Sequence, residues 1–230
     1  MKKRTVTLKG YTLVVTGFPR SGTSMMMRML EFGGIKVLAD SMFKLPQHKH
    51  DPYGCLELEN VGSEIKNKPI KYTRNKAVKI VSPYWRWYPI DRPMKAIFMQ
   101  RDINEILTSL FSMRSIWEDD IPETIADSRG YLAHMKIPTL FLQYKQVLNY
   151  PRSVAMSIAD FLEIKLDIES MAKAIDKNAR TRYQREPSMI GHDKADGIIR
   201  VDHEAYKDLN IEVYSGGPDE DYTKPAELNT

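Results

Sequence analysis

The stretch best suited to chemistry is a short polar loop between two glycines. Gly17 and Gly22 enclose four residues, and Thr23 and Ser24 follow them directly. Glycine permits left-handed backbone conformations, so the N–H groups of such a loop can turn inward around an anion. Arg20 within the loop adds a planar, permanently charged guanidinium group that suits a tetrahedral oxyanion. The loop therefore predicts a binding site for a phosphate or sulfate group.

A strand before this loop and a helix after it must hold it in place. The β-branched, apolar run at 13–15 predicts the strand, which ends at Gly17. Beyond the loop, apolar side chains recur at helical spacing from Met25 to Leu30, and Gly33 ends the helix. The start of a helix directs free N–H groups and the positive end of its dipole at an anion. Strand, loop and helix together predict an anion site at the helix N-terminus.

The loop differs from the ATP-binding type in one position. That type has a lysine before its Ser/Thr, where it reaches the β- and γ-phosphates, but this chain has Thr23 there. The cation has moved into the loop as Arg20, and no Asp-rich strand end that would hold Mg²⁺ is evident. We therefore expect a site for phosphate or sulfate without a metal ion.

A second candidate site follows the apolar run at 95–100. That run predicts a strand leading into Arg101, after which Asp102 and Glu105 form a pattern like a helix capping box. Ser109 lies eight residues after Arg101, two turns along the predicted helix. An arginine that is merely salt-bridged at a helix start is the alternative interpretation.

These two stretches resemble the sulfotransferases, which use 3′-phosphoadenylyl sulfate (PAPS) as donor. The loop is similar to their 5′-phosphosulfate loop, and the Arg101–Ser109 pair is similar in residue type and spacing to their 3′-phosphate site. The resemblance implies that the nucleotide-binding residues are Pro19, Arg20, Ser21, Gly22, Thr23, Ser24, Arg101 and Ser109.

The catalytic residues follow from weaker parts of the same resemblance. Lys79 and Pro83 resemble a Lys-Thr-His-x-Pro segment whose lysine assists departure of the leaving group, but Val81 stands where the family has its catalytic histidine. Residues 50–57 resemble an Asn-Pro-x-Gly-Tyr-x-Glu segment. The resemblance thus implies Arg20 and Lys79 as catalytic cations, with Glu57 as the first candidate base and His50 as the second. An edge-strand charge for Lys79 and a solvated loop carboxylate for Glu57 are the alternatives.

The C-terminal part contains a basic cluster and then an acidic stretch. Arg180 and Arg182 resemble the basic loop that closes over the 3′-phosphate in the family, with a charged surface turn as the alternative. Residues 201–230 are acidic and predict a loosely ordered tail. Residues 1–200 predict a single sulfotransferase-like domain.

Composition limits the remaining possibilities. The 230 residues, with a net charge of +4, fit one α/β domain with a basic body that suits an anionic cofactor. A nucleic-acid-binding pattern is absent, as is any apolar run long enough to span a membrane. The single cysteine, Cys55, excludes an internal disulfide and predicts a cytoplasmic protein.

The local patterns predict an α/β, three-layer P-loop-type sandwich with a central, mostly parallel sheet of about five strands. Besides the first strand and helix, they predict strands at 35–38, 77–82, 95–101 and 137–144, helices at 102–113, 151–162 and 167–177, and a helical or loop-like stretch at 113–135.

The resemblance implies transfer of a sulfonate group from PAPS to a hydroxyl or amine of a small-molecule, carbohydrate or peptide acceptor, with release of adenosine 3′,5′-bisphosphate. The alternatives are a P-loop small-molecule kinase and a non-catalytic nucleotide-binding module.

Overall fold

The fold is built on one parallel sheet. The structure, a computed structural model, describes residues 5–40, 55–58, 69–82, 84, 92–112 and 120–175. The strands in these ranges pair in parallel in the order β2-β3-β1-β4-β5. They are β1 (Thr12–Gly17), β2 (Val37–Leu38), β3 (Ala77–Lys79), β4 (Met94–Gln100) and β5 (Thr139–Gln143). The predicted α/β class with a parallel, five-stranded central sheet is confirmed.

Helices connect the strands, and some of them begin at an aspartate that caps the first turn. They are α1 (Thr23–Phe32), α2 (Ile103–Ser112), α3 (Ile121–His134), α4 (Tyr144–Asn149), α5 (Pro151–Leu162) and α6 (Ile168–Lys173), with a short 3₁₀ helix at Ile70–Tyr72. Asp120 accepts a hydrogen bond from the Glu123 N–H at the start of α3, and Asp167 does the same for the Ser170 N–H at α6. These carboxylates satisfy backbone donors that the first turn of a helix leaves unpaired.

The side chains of β1 divide between the two faces of the sheet. All six residues of β1 are buried, because it is the central strand. Leu13 and Val15 pack in a core with α1, α5 and α6, whereas Val14 packs in a second core with Leu132 of α3. This alternation is the period of two that a strand imposes. The helices therefore cover both faces of the sheet, as a three-layer sandwich requires.

Several predicted boundaries need correction. β2 begins at Val37, and Ile35 forms only an isolated bridge with Val6. β3 ends at Lys79, although the Ile80 and Ser82 N–H groups still donate hydrogen bonds to β1. Residue 144, predicted as the end of a strand, begins α4.

The structure leaves some sequence predictions untested. The stretch 113–135 contains α3, so its helical interpretation holds for 121–134, while 113–119 lies outside the described residues. The predicted helix at 167–177 is present as α6 up to residue 173. Residues 176–230, which include the predicted acidic tail, lie outside the described ranges. The division into residues 1–200 and 201–230 therefore stays a prediction.

Candidate anion-binding site

The predicted site residues lie at the carboxyl ends of three neighbouring strands. β1 lies between β3 and β4 in the sheet. The loop with Arg20 follows β1, Lys79 ends β3, and Arg101 follows β4. Ligands of open α/β sheets bind at such an edge, where connections leave in opposite directions on either side of a strand. The fold thus places the cations of separate motifs at one location.

Two glycines of the loop hold positions that other residues would not tolerate. Gly17 has φ 136°, and a Cβ added to it would lie 2.3 Å from the Met99 carbonyl oxygen. Gly22 caps α1 with φ 100°, and an added Cβ would lie 2.7 Å from Cδ2 of Tyr144. Both glycines are therefore required by the turn itself and by the close approach of neighbouring segments.

Arg20 connects the loop to the second candidate site. It has a left-handed backbone with φ 72°. Its Nε donates a 3.0 Å hydrogen bond to Oγ of Ser109. Its carbonyl oxygen accepts a 2.8 Å hydrogen bond from Nη1 of Arg101. Residues that the sequence assigned to two separate phosphate sites are thus joined by direct contacts.

The hydroxyl groups around the loop fit an oxyanion. Ser21 is 1% exposed and its Oγ has no hydrogen-bond partner among the described residues. The Oγ of Ser82, which is also fully buried, likewise has no hydrogen-bond partner among the described residues. The N–H of Ser82 donates a 3.0 Å hydrogen bond to the Gly17 carbonyl. Thr23 is also buried, in the first turn of α1. Buried hydroxyls are rarely left unpaired, so this cradle matches the chemistry of a bound phosphate or sulfate group.

Lys79 extends from β3 to the first turn of α1. Its side chain is only 2% exposed, and its Nζ donates to Oγ of Ser24 at 2.9 Å and to the backbone oxygen of Cys55. Oε1 of Glu57 lies 2.5 Å from the same Nζ, and the Glu57 side chain is 39% exposed. The interpretation of Lys79 as an exposed edge charge is therefore wrong. The ammonium group is buried and lies at the candidate anion site, and Glu57 is its partner.

Arg101 is held by groups from two further elements. Its Nε donates to Oε2 of Glu105 at 3.0 Å, and its guanidinium carbon lies 4.2 Å from the centre of the Tyr144 ring. Oε1 of Glu105 lies 3.4 Å from Nζ of Lys145. Asp102 caps α2 as predicted, since its Oδ1 accepts the Glu105 N–H at 3.1 Å. The backbone N–H of Glu105 thus takes part in the helix cap, while its carboxylate holds Arg101.

The remaining loop residues serve as anchors. Phe18 is fully buried and packs with Ile106 and Leu110 of α2, which fixes the loop against that helix. Pro19 follows it and is half-buried.

Sequence reasoning missed three residues near Arg101. The sequence resemblance gives Tyr144 and Lys145 no role in binding, and the sequence predicts Glu105 only as part of a capping box. The spacing of four residues between Arg101, just before α2, and Glu105, in its first turn, was a usable signal for their ion pair. The contacts of Tyr144 and Lys145 had no local signal, because they arise from the pairing of β4 with β5.

Several predictions concern residues that the structure does not describe. His50, Arg180 and Arg182 lie outside the described ranges, so their assignments stay predictions. Within the described part of the chain, no three His, Cys, Asp or Glu residues group as a metal ion would require. None of the helices in that part has the length and apolar character to cross a membrane.

No protein-family model and no curated protein sequence matches the chain. Among solved structures it is similar to the mouse sulfotransferase SULT7A1 complexed with PAP, with 15% identity and a TM-score of 0.46 over 77% of this chain and 65% of that one. Retinol dehydratase in a complex with retinol and PAP is 17% identical, with a TM-score of 0.43 over 75% of this chain and 66% of that one. A sugar kinase from Janibacter sp. HTCC2649 is 12% identical, with a TM-score of 0.35 over 72% of this chain and 98% of that one.

The chain thus spans just under two thirds of the length of the mouse sulfotransferase and of retinol dehydratase. Likenesses at this level of identity and TM-score assign no role to any residue of this chain. The sequence resemblance and the mouse structure name the same family, the sulfotransferases.

Proposed function

We propose that this chain is a sulfotransferase that takes PAPS as donor and transfers its sulfonate group to a hydroxyl or amine. The observation that supports this most is the meeting of the two anion-binding motifs. Ser109 lies 89 residues from Arg20 in the chain, and Arg101 lies 81 residues from it, yet both contact it directly. A donor with phosphate groups at both its 5′ and 3′ ends needs two such anion sites held at a fixed distance.

The loop and Lys79 would bind the phosphosulfate end of the donor. PAPS supplies a sulfonate group bonded through an oxygen to its 5′-phosphate, and that oxygen gains charge as the sulfur–oxygen bond breaks. Arg20 and the N–H groups of residues 22–24 would provide preorganised donors for this charge, whereas the Ser21 N–H donates to the Phe18 carbonyl at 3.0 Å. Lys79 adds a buried ammonium 2.9 Å from Oγ of Ser24. Fixed donors in a largely dry site stabilise developing charge without reorganisation.

Glu57 would accept the proton of the acceptor group. Its side chain is 39% exposed, so an acceptor can approach it, and its carboxylate lies beside the Lys79 ammonium. As the oxygen or nitrogen of the acceptor bonds to sulfur, its proton passes to this carboxylate. His50, the second candidate base, lies outside the described residues.

The ion pair between Glu57 and Lys79 also favours a second candidate function. A carboxylate committed to a lysine, in a chain with Val81 instead of a histidine, matches a module that binds the nucleotide without transferring sulfonate. This alternative predicts donor binding with no product from any acceptor.

Calorimetric titration tests the nucleotide assignment. We expect adenosine 3′,5′-bisphosphate to bind at least tenfold more tightly than 5′-AMP, a difference of about 1.4 kcal/mol. Ser109→Ala should remove most of this preference, whereas Ser153→Ala, at an exposed position of α5, should leave it unchanged. A preference for ATP with Mg²⁺ would identify a kinase instead, and equal binding of the bisphosphate and AMP would contradict the proposal.

A transfer assay separates the enzyme from the binding module. PAPS is incubated with panels of phenols, sugars, amines and tyrosine peptides, and release of adenosine 3′,5′-bisphosphate is measured. Release that depends on an acceptor and falls in Glu57→Gln supports the enzyme. Tight bisphosphate binding without release from any panel supports the module.

A further inference from the structure

The surroundings of Arg101 contain a cation that the sequence resemblance does not assign. Lys145 occupies the second residue of α4, and its Nζ lies 3.4 Å from Oε1 of Glu105. The other oxygen of the same carboxylate accepts the Arg101 Nε–H at 3.0 Å. Glu105 therefore bridges the two cations and holds them on either side of one carboxylate.

Arg20 and Ser109 complete this cluster. Arg101 donates to the Arg20 carbonyl at 2.8 Å, and Arg20 donates to Ser109 at 3.0 Å. Arg20, Arg101 and Lys145 are thus linked through a continuous series of contacts. We call these three residues, with Ser109 and Glu105, the cation cluster.

The charges of the cation cluster favour an anion. Two of its three cations, Arg101 and Lys145, contact the carboxylate of Glu105, and the Oδ1 of Asp102 accepts the Glu105 N–H at 3.1 Å. Even with Asp102 included, the cations outnumber the carboxylates. Arg101 is further constrained by the Tyr144 ring, which lies 4.2 Å from its guanidinium carbon. A preorganised, net positive group of this kind binds a phosphomonoester, which carries about −1.5 to −2 charges at neutral pH.

The two arginines and the lysine would not contribute equally. The side chains of Arg101 and Glu105 are 14% and 19% exposed, whereas that of Lys145 is 61% exposed. Lys145 therefore has the freedom to move from the Glu105 carboxylate to an incoming anion. Because Glu105 also holds Arg101, it remains paired when Lys145 moves.

We propose that Lys145 is a specificity-determining residue that contacts the 3′-phosphate of the nucleotide, alongside Arg101 and Ser109. This inference rests on the proposed donor site, because it concerns the phosphate by which that donor differs from a 5′-nucleotide. It predicts that Lys145 discriminates between nucleotides with and without a 3′-phosphate. It gives Lys145 no part in the transfer step.

The test compares Lys145→Gln with a matched lysine at the opposite end of the sheet. Lys165 is exposed and follows α5, whose C-terminal Phe161 carbonyl accepts a hydrogen bond from Lys95 near the start of β4. Lys165→Gln thus makes the same charge change far from the cation cluster. The dissociation constants of adenosine 3′,5′-bisphosphate and 5′-AMP are measured by calorimetry for the full chain and both variants.

We expect Lys145→Gln to weaken bisphosphate binding about three- to fivefold, as suits one exposed charge contact, and to leave 5′-AMP unchanged. Lys145→Arg should retain the wild-type preference, and Lys165→Gln should match the wild type for both nucleotides. If the wild type prefers the bisphosphate but Lys145→Gln behaves like Lys165→Gln, the inference is wrong and the donor site stands. If Lys145→Gln weakens both nucleotides equally, Lys145 does not read the 3′-phosphate. If the wild type itself shows no preference, both proposals fail.

Discussion

Removing Glu57 should destabilise the fold more than removing its partner Lys79. The two side chains differ greatly in exposure, at 39% for the glutamate and 2% for the lysine. Among the described residues, Glu57→Gln leaves the buried ammonium with neutral partners, the hydroxyl of Ser24 and the carbonyl of Cys55. Lys79→Met leaves a carboxylate that can turn into water. Removing the glutamate from this ion pair should therefore lower the stability of the fold more than removing the lysine.

The exposed fractions of the two side chains also determine how much free energy of unfolding each substitution should cost. Losing one partner of a fully buried pair costs roughly 3–5 kcal/mol. Because water reaches the Glu57 side of this pair, we expect Glu57→Gln to lower the free energy of unfolding by about 2 kcal/mol. Lys79→Met should cost about 1 kcal/mol, mainly for the hydrogen bonds that it removes. Since the lysine is the source of the penalty, the double variant should be no less stable than Lys79→Met alone.

Urea unfolding monitored by circular dichroism measures these differences in the absence of nucleotide. The matched control is Glu169→Gln, whose carboxylate lies 2.8 Å from Arg152 with both side chains well exposed, at 63% and 66%. It should cost no more than about 0.5 kcal/mol. The reasoning is refuted if Glu57→Gln costs as little as this control, or if Lys79→Met costs more than Glu57→Gln.

Two further predictions concern backbone geometry and pH. Gly17→Ala should destabilise the fold by at least about 3 kcal/mol, because its Cβ would meet the Met99 carbonyl oxygen at 2.3 Å. Gly130→Ala is its control: nothing lies within 4 Å inside helix α3, so urea unfolding should show a gain of about 0.5–1 kcal/mol. Burial, with the charge of Glu163, raises the pKa of Tyr11 to about 12. The stability that depends on its neutral hydroxyl is present below pH ~10 and is lost as the pH rises through about 12. Unfolding of Tyr11→Phe across this interval should depend less on pH, and an unchanged dependence would contradict this.

Local patterns predicted the elements whose signals lie within a few residues. Strand β1 ends at Gly17, as predicted, because the next residues must turn and only glycine fits beside β4. Helix α1 ends at Phe32, and Gly33 caps it with an N–H that donates to the Met29 carbonyl. Asp102 caps α2 because a carboxylate three residues before a free N–H is a local arrangement.

What the sequence did not predict depends on strand order. Lys79 reaches α1 because β3 lies beside β1, and the apolar pattern of a strand does not specify its neighbour. Tyr144 reaches Gly22 and Arg101 because β5 lies beside β4 and helix α4 begins with Tyr144, directly after the last residue of β5. The assignments of His50, Arg180 and Arg182 remain sequence-based, since the structure does not describe these residues.

Glu163 shows how a departure from the resemblance can be accommodated physically. The stretch at 137–163 resembles a sulfotransferase segment that ends in Phe-Leu-Gly, and Glu163 stands at the position of that glycine. Glu163 follows α5 in a left-handed conformation with φ 54°. Glycine is favoured at such a position because it has no Cβ. Here the carboxylate lies 3.3 Å from Nζ of Lys9 and 3.4 Å from Nζ of Lys95, and hydrogen bonds from these lysines lower its pKa. The backbone requirement is the same, and only the residue that meets it differs.

The loop and the second site act as one unit because of the strained backbone of Arg20. A left-handed conformation costs a non-glycine residue roughly 1–2 kcal/mol, so it persists only where contacts fix it. Arg101 donates a hydrogen bond to the Arg20 carbonyl, and Ser109 accepts one from the Arg20 side chain. The second candidate site thus supplies the contacts that fix the backbone of Arg20. Substitution of Arg101 should therefore alter the loop as well as the recognition of a 3′-phosphate. It follows that Arg101→Gln should weaken binding of 5′-AMP as well as of the bisphosphate, whereas Lys145→Gln, which leaves Arg20 untouched, should affect the bisphosphate alone.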